Sequence, residues 1–295
     1  MSKNTIAGLI TPILTPFTND NKLAESLVDP FLQFLSPHIN GYFVCGSFGS
    51  GMMMETPERK RILELVCASN ATKEKMIIVH VGTTSTASTV ELAAHAQEQG
   101  AQAIAAVVPY YYPHTDSAIL AHFKTLLKAT DLPVYLYDYP AYTNQKVGLE
   151  LFEKLIALGV RGVKDTTGNL DAMKERLTRI PFSQCDYVIG TESLLVPAYA
   201  MGIRGCISGL SNAFPELVAG LFNALNLNDK AQILKYQDVI KGVRQLMSRY
   251  AKMEAIYAIL ALRGIDCGKA RAPFGFLDAE SRESLRNALF SMNLL

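Results

Sequence analysis

Eight short apolar segments alternate along the chain with eight longer segments of helical periodicity, and this alternation constrains the fold more than any other feature. Strands and helices that alternate in this way are typical of βα units around a parallel sheet. The predicted strands are Ile6–Leu14, Gly41–Val44, Met76–His80, Ala103–Val108, Val134–Tyr137, Val160–Lys164, Tyr187–Ile189 and Gly205–Ser208. The predicted helices are Ser26–Leu35, Pro57–Ala68, Thr86–Gln99, Ser117–Thr130, Leu149–Leu158, Asn169–Arg179, Ser193–Ala200 and Pro215–Leu225. We therefore predict an α/β fold, with a catalytic (β/α)8 TIM barrel over residues 1–225, close to the roughly 250 residues typical of such barrels.

The rest of the chain, residues 226–295, is predicted to form a C-terminal extension of three helices. These helices are predicted at Asp229–Arg249, at Met253–Leu262 and from about Glu280 onwards. In a (β/α)8 barrel the loops that follow the eight strands converge on one mouth, where chemistry takes place. Functional side chains are therefore expected at the C-terminal ends of the strands.

The charged residues nearly cancel, since 28 Lys and Arg stand against 27 Asp and Glu, a formal charge of +1. No run of Lys or Arg occurs, so nucleic acid and membrane surfaces are not expected partners. Apolar stretches such as Met253–Leu262 are far shorter than the roughly 18 residues of a membrane span, and Met1–Asn4 lacks the apolar core of a signal peptide. We expect a cytoplasmic protein.

The five cysteines and five histidines are scattered along the chain. No Cys-x-x-Cys or His-Glu-x-x-His pattern occurs, and no two histidines are three or four residues apart. We therefore expect neither a disulfide framework nor a bound metal ion.

Lys164 stands at the end of the sixth predicted strand. Strand alternation places Val160, Gly162 and Lys164 on one face, which is small and apolar and therefore predicts that the Lys164 amine points into the barrel. Partial removal from water lowers the pKa of a lysine, and the neutral amine attacks carbonyl groups. Lys164 is thus a candidate for imine formation, and a solvated lysine at a strand end is the alternative.

The fifth predicted strand carries tyrosines at 135, 137 and 139, which alternation places on one face. This face lies beside Lys164 on the next strand, so a phenol here could transfer a proton to or from a reacting hydroxyl. Packing of these aromatic rings in the core is the alternative.

The second predicted strand leads into a glycine-rich turn with the sequence CGSFGSG at residues 45–51. Glycines permit tight turns whose backbone N–H groups could bind a carboxylate, and Ser47 adds a hydroxyl. The pattern matches neither the dinucleotide-binding Gly-x-Gly-x-x-Gly nor a phosphate-binding P-loop.

Three further loops carry polar or aromatic residues. After the fourth strand stands PYYYPH at residues 109–114, a stiff aromatic loop that either lines a pocket or packs at a subunit interface. The seventh and eighth strands end near Gly190, Glu192 and Ser208, whose polar groups could bind the hydroxyls of a substrate. Helix capping is the alternative for this polar cluster.

Five motifs together resemble the pyruvate-dependent class I aldolases, the family of dihydrodipicolinate synthase, N-acetylneuraminate lyase and 2-keto-3-deoxygluconate aldolase. The motifs are ITPILTPF at 10–17, GSFG at 46–49, PYYYP at 109–113, YLYDYP at 135–140 and GVKDT at 162–166. They stand in the family's order and spacing and cover nearly the whole chain.

The resemblance implies that Lys164 forms an imine with pyruvate and that Tyr137 shuttles protons, assisted by Ser47 and by Tyr111 from a neighbouring subunit. The turn at Gly46, Phe48 and Gly49 would hold the pyruvate carboxylate. Thr166 would bind substrate beside Lys164. The family further implies a homotetramer, built as a dimer of dimers, that needs no metal or cofactor because the iminium accepts the electrons.

The chain departs from the family pattern at two places. Most members have a second hydroxyl residue where this chain has Phe48, so the hydroxyl relay is reduced to Ser47 and a backbone N–H. Dihydrodipicolinate synthases also carry an arginine after the Tyr137 strand, whereas residues 141–144 read AYTN here. The missing arginine disfavours the synthase reaction, since it would bind the second substrate's carboxylate.

Among the subfamilies, the motifs look most like 2-keto-3-deoxygluconate aldolases. In versions that accept the 6-phosphorylated sugar acid, the positions of His114, Tyr139 and Arg244 hold the phosphate, although the first is an arginine there. The expected reaction is reversible cleavage of 2-keto-3-deoxygluconate or its 6-phosphate to pyruvate and glyceraldehyde or its phosphate. The alternatives are another pyruvate-dependent enzyme, of N-acetylneuraminate lyase, 4-hydroxy-2-oxoglutarate aldolase or dihydrodipicolinate synthase type, and a non-catalytic barrel that binds 2-keto acids.

Overall fold

A computed structural model describes residues 6–295, so the opening segment Met1–Asn4 lies outside the described residues. Its eight strands are all parallel and form a closed barrel in sequence order, with the first strand paired to both the second and the eighth. The strands are β1 (Gly8–Thr11), β2 (Gly41–Val44), β3 (Met76–His80), β4 (Ala103–Ala106), β5 (Val134–Asp138), β6 (Gly162–Asp165), β7 (Asp186–Ile189) and β8 (Gly205–Ile207). The predicted (β/α)8 barrel is confirmed.

The helices follow the strands as predicted, with shifts of a few residues at their ends. They are α1 (Val28–Leu35), α2 (Thr56–Ala68), α3 (Thr86–Glu98), α4 (Asp116–Lys128), α5 (Pro140–Thr143), α6 (Leu149–Leu158), α7 (Leu170–Arg179), α8 (Leu195–Ala200), α9 (Pro215–Asn226), α10 (Lys230–Met247), α11 (Lys252–Leu262) and α12 (Ala279–Ser291). The single turn α5 was not predicted, because four residues are too few to show helical periodicity. None of the helices within residues 6–295 combines the length and apolar character that crossing a membrane requires.

Two separate apolar clusters result from strand alternation. Inward-facing side chains fill the barrel, including Ile10, Phe43, Ile78, Tyr135, Val188 and Ile207. Outward-facing side chains pack against the helices in a larger cluster, which includes Val163. Val160 also belongs to this outer cluster, so its predicted inward orientation is wrong. The reason is that β6 begins only at Gly162, and alternation does not extend to residues before the strand.

The C-terminal helices stand beside the barrel mouth. Helix α10 packs against α9, and α11 and α12 pack against α10. The end of α10 and the start of α11 therefore bring Arg244 and Lys252 to the same opening as the strand ends. The extension thus supplies side chains that the barrel alone does not have.

Candidate active site

A cavity of about 570 Å³ opens at the C-terminal ends of the strands. The predicted site residues that line it are Ser47, Phe48, Tyr137, Tyr139, Lys164, Thr166, Gly190, Glu192 and Arg244. They come from the loops or ends of several different strands and from α10. The sequence predicted that most of these side chains lie at strand ends, and the structure brings them together in one cavity.

Lys164 lies inside the barrel as predicted and is 4% exposed. Its Nζ lies 3.6 Å from the ring centroid of Tyr137 and 4.0 Å from that of Phe43. Burial lowers the pKa of Lys164 well below its usual value, because the desolvated ammonium form is disfavoured. The lowered pKa increases the fraction of neutral amine, which is the form that attacks a carbonyl.

Tyr137 on β5 is the register partner of Lys164 on β6, which explains why the two side chains meet. Its hydroxyl lies 3.3 Å from the Ser47 Oγ, within hydrogen-bonding distance. Burial raises the pKa of Tyr137, so the phenol keeps its proton at neutral pH and can donate it. The rings of Tyr137 and Tyr139 stack with centroids 5.6 Å apart, which restricts the orientation of both.

The glycine-rich turn after β2 leaves several backbone donors unused. The N–H groups of Ser47, Phe48 and Gly49 donate to no acceptor within residues 6–295. Gly51 keeps the turn tight, since an added Cβ would lie 1.9 Å from the carbonyl oxygen of Cys45. N–H groups of a turn that have no protein acceptor can bind a carboxylate.

Thr166 and Gly190 form a close contact in the same cavity as Lys164. An added Cβ at Gly190 would lie 2.0 Å from the Thr166 Oγ1, so only glycine leaves room for this hydroxyl. The Thr166 Oγ1 is buried and has no hydrogen-bond partner among the described residues. A buried hydroxyl without a partner beside a reactive amine is suited to hydrogen-bonding a bound substrate.

Glu192, Ser208 and Arg244 are connected to one another. The Ser208 hydroxyl donates to Glu192 Oε2 at 2.7 Å, and the Arg244 guanidinium forms an ion pair with the other carboxylate oxygen. Glu192 is buried and lines the cavity, whereas Ser208 lies just behind it. No three His, Cys, Asp or Glu side chains in residues 6–295 converge as a metal site would require. The Glu192 carboxylate at the cavity wall can accept hydrogen bonds from hydroxyl groups.

Tyr111 and His114 are not part of the cavity formed by one chain. Tyr111 is 80% exposed, and its φ of 79° is rare for a bulky residue and indicates local strain. His114 is instead held by Gln145, which exchanges two hydrogen bonds with its backbone. In the aromatic loop, Tyr111 and Tyr112 are therefore exposed, whereas Tyr110 packs against the inner cluster of the barrel.

A buried ion network lies behind the two central residues. Asp138 and Asp165 directly follow Tyr137 and Lys164, and Arg176 on α7 donates to Asp138 Oδ2 at 2.7 Å and to Asp165 Oδ2 at 3.2 Å. All three side chains are almost fully buried. One guanidinium therefore joins the ends of β5 and β6, which carry the phenol and the amine.

We expect Arg176→Met to destabilise the protein by about 3–5 kcal/mol at pH 8, because two buried carboxylates lose their cation. Burial raises the pKa of Asp138 from 3.8 to about 6 even with Arg176 present. Loss of the guanidinium raises this pKa further in the variant, so its folded state takes up the proton at a higher pH than the parent's, and the deficit should shrink as pH falls from 8 to 5. Urea unfolding at pH 8 and at pH 5 measures this deficit in the free energy of unfolding.

The matched control is Arg179→Met on the same helix, which removes an exposed ion pair with Glu153. Exposed pairs contribute about 0–1 kcal/mol, so this variant should stay close to the parent protein. Equal decreases in the free energy of unfolding of the two variants would show that the buried ion network stabilises the protein no more than an exposed ion pair does.

Three residues near the site were not predicted from the sequence: Phe43, Arg176 and Lys252. Phe43 could have been found from its inward position on β2, by the same alternation that identified Lys164. Arg176 is three residues after Met173 and stands on the buried stripe of α7, where a charge signals a buried partner. Lys252 gives no such signal, because its proximity to the barrel depends on how the extension folds back.

Comparison with known proteins agrees with this geometry. The model of the dihydrodipicolinate synthetase family matches residues 5–292. An uncharacterized DapA-like lyase from Halobacterium salinarum is 31% identical over 290 residues, which are 98% of this chain and 94% of that protein. N-acetylneuraminate lyase from Rhizobium meliloti is 28% identical over 287 residues, which are 96% of this chain and 94% of that protein.

Solved structures show the same fold over the whole chain. The crystal structure of N-acetylneuraminate lyase from Mycoplasma synoviae superposes with a TM-score of 0.90 at 26% identity and covers 100% of both chains. Dihydrodipicolinate synthase from Aquifex aeolicus has a TM-score of 0.89 at 24% identity, covering 98% of this chain and 99% of that one, a likeness of fold alone. The chain therefore belongs to the dihydrodipicolinate synthetase family, whose members are pyruvate-dependent carbon–carbon lyases.

Proposed function

We propose that this protein is a class I aldolase in which Lys164 forms an imine with pyruvate. The reaction is reversible cleavage of 2-keto-3-deoxygluconate or its 6-phosphate to pyruvate and glyceraldehyde or its phosphate. The observation that carries the proposal is the desolvated Lys164 amine, which lies over the rings of Phe43 and Tyr137. No cofactor enters the reaction, since the protonated imine itself accepts the electron pair.

In the cleavage direction, the Lys164 amine attacks the ketone carbon of the substrate, and water leaves as the imine forms. Loss of the proton from the hydroxyl at carbon 4 then breaks the bond between carbons 3 and 4 and releases the aldehyde. The electron pair of that bond moves to the iminium and gives an enamine. Protonation of the enamine and hydrolysis of the imine release pyruvate and restore the amine.

Tyr137 is placed to move these protons. Its hydroxyl can take the proton of the substrate hydroxyl as it passes its own proton to Ser47, whose Oγ is 3.3 Å away. In the proposed complex the pyruvate carboxylate binds at the turn of Gly46, Ser47, Phe48 and Gly49, where three N–H groups have no protein acceptor among the described residues. Thr166 and Gly190 close the other side of this subsite.

Tyr111 acts, in this proposal, in the site of a neighbouring subunit. Its 80% exposure and strained backbone support a role outside its own chain, since strain of this kind is concentrated at functional positions. Such an exchange requires a symmetric oligomer, which we propose to be a homotetramer built as a dimer of dimers.

The hydroxyls of the sugar acid are proposed to bind Glu192, whose carboxylate lines the cavity and accepts a hydrogen bond from Ser208 behind it. Arg244 and Tyr139 also line the cavity, and the guanidinium of Arg244 is paired there with Glu192. The phosphate role expected for His114 has no such support, because this residue lies outside the cavity of its chain.

Other pyruvate-dependent lyase reactions are the second candidate, since the relatives include N-acetylneuraminate lyases and 4-hydroxy-tetrahydrodipicolinate synthases. The absence of arginine from residues 141–144 disfavours the synthase reaction. Cleavage assays with a panel of 2-keto sugar acids separate the remaining reactions. Failure to cleave both six-carbon acids would refute the proposed substrate.

We expect that borohydride added with pyruvate at pH 7 modifies Lys164 and leaves the exposed lysines unmodified. The lowered pKa of Lys164 keeps its amine reactive at a pH where a solvated lysine is almost fully protonated. Hydride converts the imine to a stable secondary amine, which peptide mass spectrometry locates. Absence of an adduct, or adducts spread over surface lysines, would favour a barrel that binds 2-keto acids without catalysis.

A further inference from the structure

Three basic side chains line the cavity, and they differ in their partners. Lys164 at its base is the proposed nucleophile. Arg244 is already paired with Glu192. Lys252, the first residue of α11, has no ion pair or hydrogen bond within residues 6–295. Lys252 is therefore the side chain of this cavity whose positive charge is available to bind a ligand.

Lys252 lies over the aromatic ring of Phe48. The Lys252 Nζ lies 5.5 Å from the centroid of the Phe48 ring, a distance at which an ammonium group is attracted to the ring face. The ring itself is wedged against Gly209, where an added Cβ would lie 2.1 Å from two ring atoms. This contact gives a physical reason for Phe48 in the glycine-rich turn, at the position where most members of the resembled family have a hydroxyl residue.

We propose that Lys252, held over Phe48, is the specificity-determining residue that binds an anionic group at the far end of the aldehyde half of the substrate. The group is a carboxylate or a phosphate, which share the charged oxygens that an ammonium recognises. The proposal rests on the proposed function, because it assumes that pyruvate occupies Lys164. It predicts a preference for acids with a charged end over those that end in a neutral hydroxymethyl group.

Steady-state cleavage of three six-carbon 2-keto acids tests this preference, with a hydroxymethyl, a carboxylate or a phosphate as the terminal group. Lys252→Met should raise KM for at least one charged acid by about 10-fold or more, because a hydrogen bond to a charged group is lost. KM for the neutral acid and kcat for all three should stay within about two-fold. Lys252→Arg should restore the preference, since it keeps the charge.

The control variant is Lys235→Met, which removes an exposed lysine of α10 that does not line the cavity. It should leave all three substrates unaffected. Phe48→Leu keeps apolar bulk and removes the ring. It should therefore raise KM for the charged acids by about 2–5-fold relative to KM for the neutral acid. An increase of KM that is the same for all three acids, or no increase, in Lys252→Met would overturn the proposal.

A binding measurement keeps the test independent of turnover. After pyruvate and borohydride treatment, titration calorimetry gives dissociation constants for glycerol 3-phosphate, glycerate and glycerol as mimics of the aldehyde half. Charged mimics should bind the parent protein more tightly than glycerol, and this difference should vanish in Lys252→Met. A pyruvate adduct on Lys164 without this difference in affinity would refute only the role of Lys252. The difference in affinity without an adduct would refute only the imine mechanism.

Discussion

Lys164→Ala is expected to abolish the pyruvate adduct and to lower kcat for aldol cleavage on the order of 10⁴-fold or more. The reason is that no other amine replaces it: the remaining cations of the cavity are Arg244, which is paired, and Lys252, which stands at the mouth. Intact-protein mass spectrometry after borohydride treatment, together with a coupled assay of pyruvate release, measures both effects.

The matched control for this loss is Lys174→Ala, which removes an exposed lysine of α7. It should keep both the adduct and full activity. Circular dichroism must show that Lys164→Ala remains folded, which we expect because the change removes a buried amine that makes no hydrogen bond with the described part of the chain. Retention of the adduct in a folded Lys164→Ala protein would refute imine formation at this residue.

Tyr137→Phe is expected to lower kcat by about 10²–10⁴-fold, because proton transfer by a positioned side chain contributes about this much. The ring that packs against Lys164 at 3.6 Å is preserved, and only the hydroxyl bonded to Ser47 is lost. Pyruvate should therefore still form a trappable imine on Lys164. The expected result is a variant that is slow in cleavage but retains the borohydride adduct.

Tyr199→Phe is the control for loss of a tyrosine hydroxyl, since its phenol donates to Asn226 away from the cavity. It should be as active as the parent protein. Tyr137→Phe with unchanged kcat would assign the proton transfer to another group. Loss of the adduct together with activity would assign Tyr137 a role in imine formation as well.

The fold was predicted closely because its signals are local. The eight strands were found from apolar runs bounded by helical segments, and all eight occur within a few residues of the predicted bounds. Errors arose at strand ends such as Val160, where a loop residue continues the apolar pattern without belonging to the strand. The roles proposed for individual site residues stay predictions until the variants are measured.

Lys164 and Tyr137 could be placed together from the sequence, because they face inward on neighbouring strands and alternation has a fixed period of two. The ring of Phe43 against the Lys164 amine follows from the same rule once the barrel is closed. What resemblance and pattern could not supply is which cations of the cavity are already neutralised. That property depends on partners that are distant in the sequence.

The sequence by itself therefore determined the barrel, the inward direction of Lys164 and the glycine-rich turn, all of which follow from spacing within one strand or one loop. Only the tertiary structure decided that Arg176 joins two aspartates, that Arg244 pairs with Glu192 and that Lys252 lies over Phe48. These contacts join segments that meet only when the barrel closes and the C-terminal helices pack beside its mouth. Periodicity describes how a segment orients its own side chains, whereas charge pairing depends on which other segments pack against it.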